Sequence, residues 1–106
     1  MSTHEEDLTT AALAWARANG ESNPTNVTYL QCTADQAAQI LGADSEPGDG
    51  PVDLVVMDGH FAATESRGRH LYLLFDHGTH RRLAWGMQAQ PYDLRRAGLP
   101  VTTLKA

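Results

Sequence analysis

A single cysteine, Cys32, leaves this sequence no intramolecular disulfide to staple it. That fits a reducing compartment, the cytoplasm, rather than a secreted scaffold. Basic residues are also scarce: eight Lys and Arg stand against thirteen Asp and Glu, a net charge of −5. A general nucleic-acid binder shows the opposite balance, so no nucleic-acid partner is expected, while a basic protein or peptide stays open. No apolar run approaches the ~20 residues that cross a bilayer, so no membrane association is expected. The start, Met1-Ser2-Thr3-His4-Glu5-Glu6-Asp7, lacks the basic segment and apolar core of a signal peptide, and none is expected. There is no Gly-rich phosphate loop, no serine nucleophile elbow and no paired-cysteine motif, so neither a catalytic residue nor a cofactor is assigned.

What is present fits one α+β domain over residues 1–106. Residues 8–19 are alanine-rich without internal Gly or Pro, and Leu8, Ala12 and Trp15 share a helical face, flanked by Ala11 and Ala18. Thr3 with Glu6 has the spacing of a capping box, and Gly20 suits the left-handed stop. Residues 27–32 read as a strand. Thr33 with Gln36 caps a short helix over 34–41, with Ala34, Ala37, Ala38 and Leu41 on its apolar face. Residues 43–51 form a flexible loop of Asp, Ser, Glu, Pro and Gly.

Residues 52–61 read as a central strand, because Leu54-Val55-Val56-Met57 is apolar on both faces. Gly59 suggests a bulge, and 62–69 a polar connection. The strongest pattern is a hairpin over 70–87: an apolar strand, a turn at Asp76-His77-Gly78-Thr79-His80, and a return strand. On that strand Leu83, Trp85 and Met87 alternate with Arg82, Ala84 and Gly86. The tail, 88–106, holds a short helical piece over 92–97 and a β-prone end over 101–104 that pairs at an edge or packs across the sheet. The expected architecture is an N-terminal helix on an antiparallel meander of about four strands plus a short second helix, with the helices on one face.

The chemistry is sparse. His77-x-x-His80 with Asp76 is a spacing metal ligands can use, but His60, His70 and Cys32 are not placed nearby. The reading taken is a solvated turn with Asp76 capping its own backbone, and no metal is assigned. Cys32 reads as a small buried hydrophobe. Asp53 and Asp58 lie five apart on one strand and so face opposite sides. Asp58-Gly59-His60 has the makings of an acid/base element, weighed against a plain strand end. Arg67, Arg69, Arg81 and Arg82 would form an anion-binding patch if the turns lie together, and otherwise a solvated rim. Trp15 and Trp85 are expected in the core, and Tyr29, Tyr72 and Tyr92 are candidates to line a groove.

Val52-Asp53-Leu54-Val55-Val56-Met57, followed by Leu71-Tyr72-Leu73-Leu74-Phe75-Asp76 and a Gly-Thr turn into Leu83-Ala84-Trp85-Gly86, resembles PepSY-like and cystatin-like small domains. It is also similar to small uncharacterised actinobacterial proteins that end in a Trp-Gly strand and a Pro/Asp-Leu tail. The likeness spans roughly residues 8–88 and lies in element order. The Asp-x-x-Thr-Gly turn of PepSY domains becomes Asp76-His77-Gly78-Thr79 here, and the Gln-Val-Gly loop of cystatins is absent. The resemblance implies a fold and a binding or inhibitory role.

The expected function is therefore a non-enzymatic binding or regulatory module for a protein or peptide, with Asp76, His77, His80, Arg81, Arg82, Asp58 and His60 as candidate binding residues. A homodimer through a sheet edge is the expected self-association. The alternative is a small enzyme or small-ligand carrier near Asp58 and His60 or at the His77/His80 turn.

Overall fold

The computed structural model describes residues 3–41, 51–63, 66–79, 81–88, 90, 92, 94 and 98–105. The chain begins with α1 (His4–Ala18), followed by β1 (Thr25–Thr33), α2 (Ala34–Leu41), β2 (Pro51–Ala63), β3 (Ser66–Asp76), β4 (Arg82–Gln88) and β5 (Thr102–Lys105). The strands form one antiparallel sheet in the order β4-β3-β2-β1-β5. The expected meander of about four strands is present, and the tail adds a fifth by pairing β5 with β1 at Tyr29–Thr102 and Thr28–Thr103. No described helix is long and apolar enough to cross a membrane.

Helix α1 starts one turn earlier than the apolar periodicity suggested. Thr3 is its N-cap: the Thr3 hydroxyl accepts from Glu6 N at 3.1 Å, and the Glu6 carboxylate accepts from Thr3 N at 3.3 Å. Two otherwise orphaned amides are satisfied, so the helix nucleates at His4 rather than at its first apolar residue. It ends as expected, with Gly20 at φ 95° and Glu21 N bonded to Ala16 O at 2.9 Å. The buried stripe is Leu8, Ala12 and Ala16, so Ala16 takes the place the sequence reading gave to the half-buried Trp15.

The two helices cover opposite faces of the sheet, not one face. Leu8, Ala12 and Ala16 pack on Val27, Val55, Met57, Phe61, Leu71, Leu73 and Phe75. Ala37 and Ile40 of α2, with Leu94 of the tail, pack on Leu30, Cys32, Val52, Leu54 and Leu74. The doubly apolar run in β2 demands this: side chains alternate along a strand, so both its faces need cover. Each fully buried leucine is worth ~1.5–3 kcal/mol. Pro51, assigned to the loop, starts β2 opposite Thr33; the rest of that loop, 43–50, and the helical piece around 92–97, apart from Tyr92 and Leu94, lie outside the described residues. The polar connection over 62–69 is largely strand, with Ala62 opposite Arg67 and Ala63 opposite Ser66.

Three of the four register shifts among the described residues shape the rims; the other lies between Val27 and Thr28 where β1 meets β5. Register shifts between Asp58 and Phe61 on β2, which fits the bulge expected at Gly59. A second shift, between Thr25 and Thr28 on β1, places Asn26 at φ 50°, a conformation asparagine tolerates. A third lies on β4, where Leu74 opposes Ala84 but Phe75 opposes Arg82. Leu83 is extruded there and 52% exposed. Arg82 consequently changes face: its guanidinium lies 5.9 Å from the centre of the Trp15 ring, which itself packs on Trp85 at 5.3 Å.

Candidate functional site

Asp53 is the one buried charged residue of the described chain, with no exposed surface at all. It sits near the start of β2, opposite Gln31 of β1 and Phe75 of β3. Its side chain shares the α1 face with Val55 and Met57, where an isolated carboxylate would be costly. Two histidines meet it. His4 Nε2 lies 2.8 Å from Asp53 Oδ2, and His77 Nδ1 lies 3.2 and 3.1 Å from Oδ1 and Oδ2. The two rings pack edge to face, 4.4 Å between centres.

Each member of this cluster has a local cause. His4 is the first residue of α1 and continues the i, i+4 line of Leu8, Ala12 and Ala16. His77 lies two residues beyond Phe75 and so returns to the same face; its amide donates to Pro51 O at 3.2 Å. Asp76 holds the turn, accepting from Thr79 N at 2.8 Å and Thr79 Oγ1 at 2.9 Å. Those bonds, the backbone one first, lower its carboxyl pKa. The expectation that Asp76 caps the turn therefore stands, and its carboxylate is already engaged there. His80 lies outside the described residues. The first turn of α1 adds Glu5, Glu6 and Asp7, and Tyr29 donates its hydroxyl to Glu5 at 3.3 Å beside His4. Burial, then the nearby Glu5, raises the Tyr29 pKa.

Next to Asp53 the sheet has an open margin. β5 pairs with β1 only at Val27, Thr28 and Tyr29. Beyond that point, residues 30–32 have no described strand on that side. A groove of about 550 Å³ lies there, lined by Tyr29, Gln31, Thr33, Gln36, Pro51 and Pro100 among others. Cys32, also in its lining, is only 5% exposed, and burial pushes its thiol up to about 11.

Asp58 and His60 belong elsewhere. They lie at the far end of β2, Asp58 on the α2 face and ~16 Å along the strand from Asp53, with His60 farther still. Asp58 pairs with His70 rather than His60: Asp58 Oδ1 is 2.7 Å from His70 Nδ1, and Asn26 Nδ2 donates to Oδ2 at 2.9 Å. His60 is exposed, and its amide donates to Glu21 at 2.7 Å. Among the described side chains the arginine patch does not assemble. Arg69 stands beside His70 and Arg82 beside Phe75, ~20 Å apart along β3. Nor do the tyrosines form one groove: Tyr72 and Tyr92 meet at 5.6 Å on the α2 face, while Tyr29 packs on the α1 face. Burial, then Tyr72, pushes Tyr92 up to about 12.

Of the expected binding residues that are described, His77 alone enters the buried cluster. Asp53 and His4 were missed as partners, although strand parity and the i, i+4 line carried the signal. Compared with known proteins, the chain matches no family model, no curated sequence and no solved structure.

Proposed function

We propose that this protein is a non-enzymatic binding module that takes up an extended, basic peptide segment as an added strand on the outer edge of β1. The carrying observation is the margin at 30–32 beyond the end of β5, with its adjoining groove. A strand edge offers unpaired N–H and C=O groups, and an extended peptide satisfies them while its alternate side chains enter flanking grooves. β5 already shows that this edge accepts an antiparallel partner. The other edge is defended: β4 carries the Leu83 bulge and opens on exposed Arg82, preceded by exposed Arg81, devices that discourage pairing. Glu5, Glu6 and Asp7 on the neighbouring helix start, with the net charge of −5, favour basic side chains in the guest.

The likeness of element order to PepSY-like and cystatin-like domains is in keeping with a binding role. One free cysteine, abundant alanine and the choice of arginine for seven of the eight basic residues are in keeping with a bacterial cytoplasm. A second reading, a small-ligand or catalytic site, draws on the Asp58–His70 pair, which borders an open groove of about 560 Å³ with Tyr92, Leu94 and Thr103.

The test is selection from a randomised peptide library, followed by amide exchange on the winning complex. Extended, Lys- or Arg-containing peptides should slow exchange at 30–32, and Pro100→Trp, which fills the groove, should abolish capture. Protection confined to the β4 edge or the 76–82 turn would overturn the reading, as would an unenriched library. A concentration-dependent dimer protected at the same amides would replace the peptide with a second copy of the chain.

A further inference from the structure

We infer that His4, Asp53 and His77 form a binding site for one divalent first-row transition metal ion, with zinc as its natural probe. The inference is independent of peptide capture.

The donor atoms are already spaced for it. Ligands held 2.0–2.2 Å from one ion at tetrahedral or octahedral angles lie ~2.8–3.6 Å from one another. Here the carboxylate oxygens stand 2.8, 3.1 and 3.2 Å from the two ring nitrogens, and one donor atom from each residue fits within a common 4.8 Å. Both imidazoles converge on the same oxygen, Oδ2. A dication bound by two neutral rings and one carboxylate leaves a local charge of +1. The acidic first turn of α1 then opposes that charge.

Burial is divided as a binding site requires. Asp53 is wholly buried, while the His4 and His77 side chains are 30% and 33% exposed. The ion would be anchored from the sheet and approached from solvent, leaving coordination positions for water or for a donor from a guest. Two nitrogens and a carboxylate suit zinc, iron, nickel or copper; calcium and magnesium prefer all-oxygen sites. The three ligands come from separate elements, each locally pinned: His4 by the Thr3–Glu6 box, Asp53 by β1 and β3, and His77 by Pro51 O and the Asp76 turn. The ligand set is thus assembled by the fold, not by a sequence motif.

The experiment uses the full chain without a histidine tag. Zinc chloride titration by calorimetry should give one site per chain, and cobalt(II) should give visible ligand-field absorption that zinc abolishes. His77→Gln keeps a polar turn residue at a partly exposed position, so folding is expected to survive. It should weaken zinc by more than the roughly 10–100-fold typical of losing an outer-shell partner. His4→Gln should do the same, while His60→Gln and His70→Gln, which leave the cluster intact, should bind like the parent. Circular dichroism confirms that each variant is folded. A folded parent that takes up no zinc at micromolar concentration overturns the proposal, and so does zinc affinity unchanged by His77→Gln and His4→Gln.

Discussion

Asp53 and Asp58 lie on the same strand, five residues apart, and each meets a histidine, yet the fold uses them in opposite ways. Asp53 is sealed beneath the first turn of α1, between two imidazoles from distant parts of the chain. Asp58 sits at a bulged rim, its side chain 37% exposed, bonded to His70 across the strand pair and to Asn26 across a second bulge. An odd spacing sends them to opposite faces. The cover on each face then decides what each carboxylate is worth: solvent screens Asp58, whereas Asp53 depends on its partners.

The largest test of that contrast is removal of each carboxylate. Asp53→Ala should cost about 3 kcal/mol by urea denaturation, because the bonds of a buried carboxylate to two side chains are lost together. Asp58→Ala should cost less than about 1 kcal/mol. Equal losses would show that burial does not separate the two positions. Next in size is Thr3→Ala, which removes the cap that starts α1 at His4 and should cost about 1 kcal/mol. It should also weaken zinc binding, whereas Thr33→Ala, which breaks the equivalent cap of α2 at Gln36, should leave zinc binding alone at a similar stability cost. Zinc affinity that ignores Thr3 would separate the helix start from the cluster.

Smaller effects lie at the turn and in the groove. Asp76 has a lowered pKa, so its stabilising contribution is present above the unfolded value and is lost as pH falls through the folded one. Carboxyl NMR should show Asp76 titrating below the usual aspartate range, and Asp76→Asn should flatten the acid limb of the stability curve. Cys32, with its thiol near 11, holds almost no thiolate at neutral pH. Alkylation by iodoacetamide in the native state should be far slower than in urea and should accelerate only towards alkaline pH.

Much of the frame was legible in the residues. Both capping boxes, the glycine stop after α1, the span of α2, the Gly59 bulge and the long hairpin follow from local rules, because caps, turns and alternation are short-range preferences. Other features were not legible for equally definite reasons. The bulge that turns Leu83 out and sends Arg82 to Trp15 breaks the very alternation used to assign faces on β4. Opposite placement of α1 and α2 depends on how each loop crosses the sheet. Gly86, read only as a small residue on the far face, lies under the Tyr72 ring, and that close approach depends on a cross-strand register.

By itself, then, the sequence determined most of the elements, the doubly apolar run of β2 and the parity that separates Asp53 from Asp58. It also carried the line His4, Leu8, Ala12, Ala16 and the step from Phe75 to His77. Only the tertiary structure decided that these lines converge. The β2–β3 register places Val52 opposite Asp76, and hence Asp53 beside the turn that carries His77. The docking of α1 brings His4 down onto the same carboxylate. Register and docking are set by packing summed over the whole sheet, so a cluster drawn from residues 4, 53 and 77 has no local signature to read.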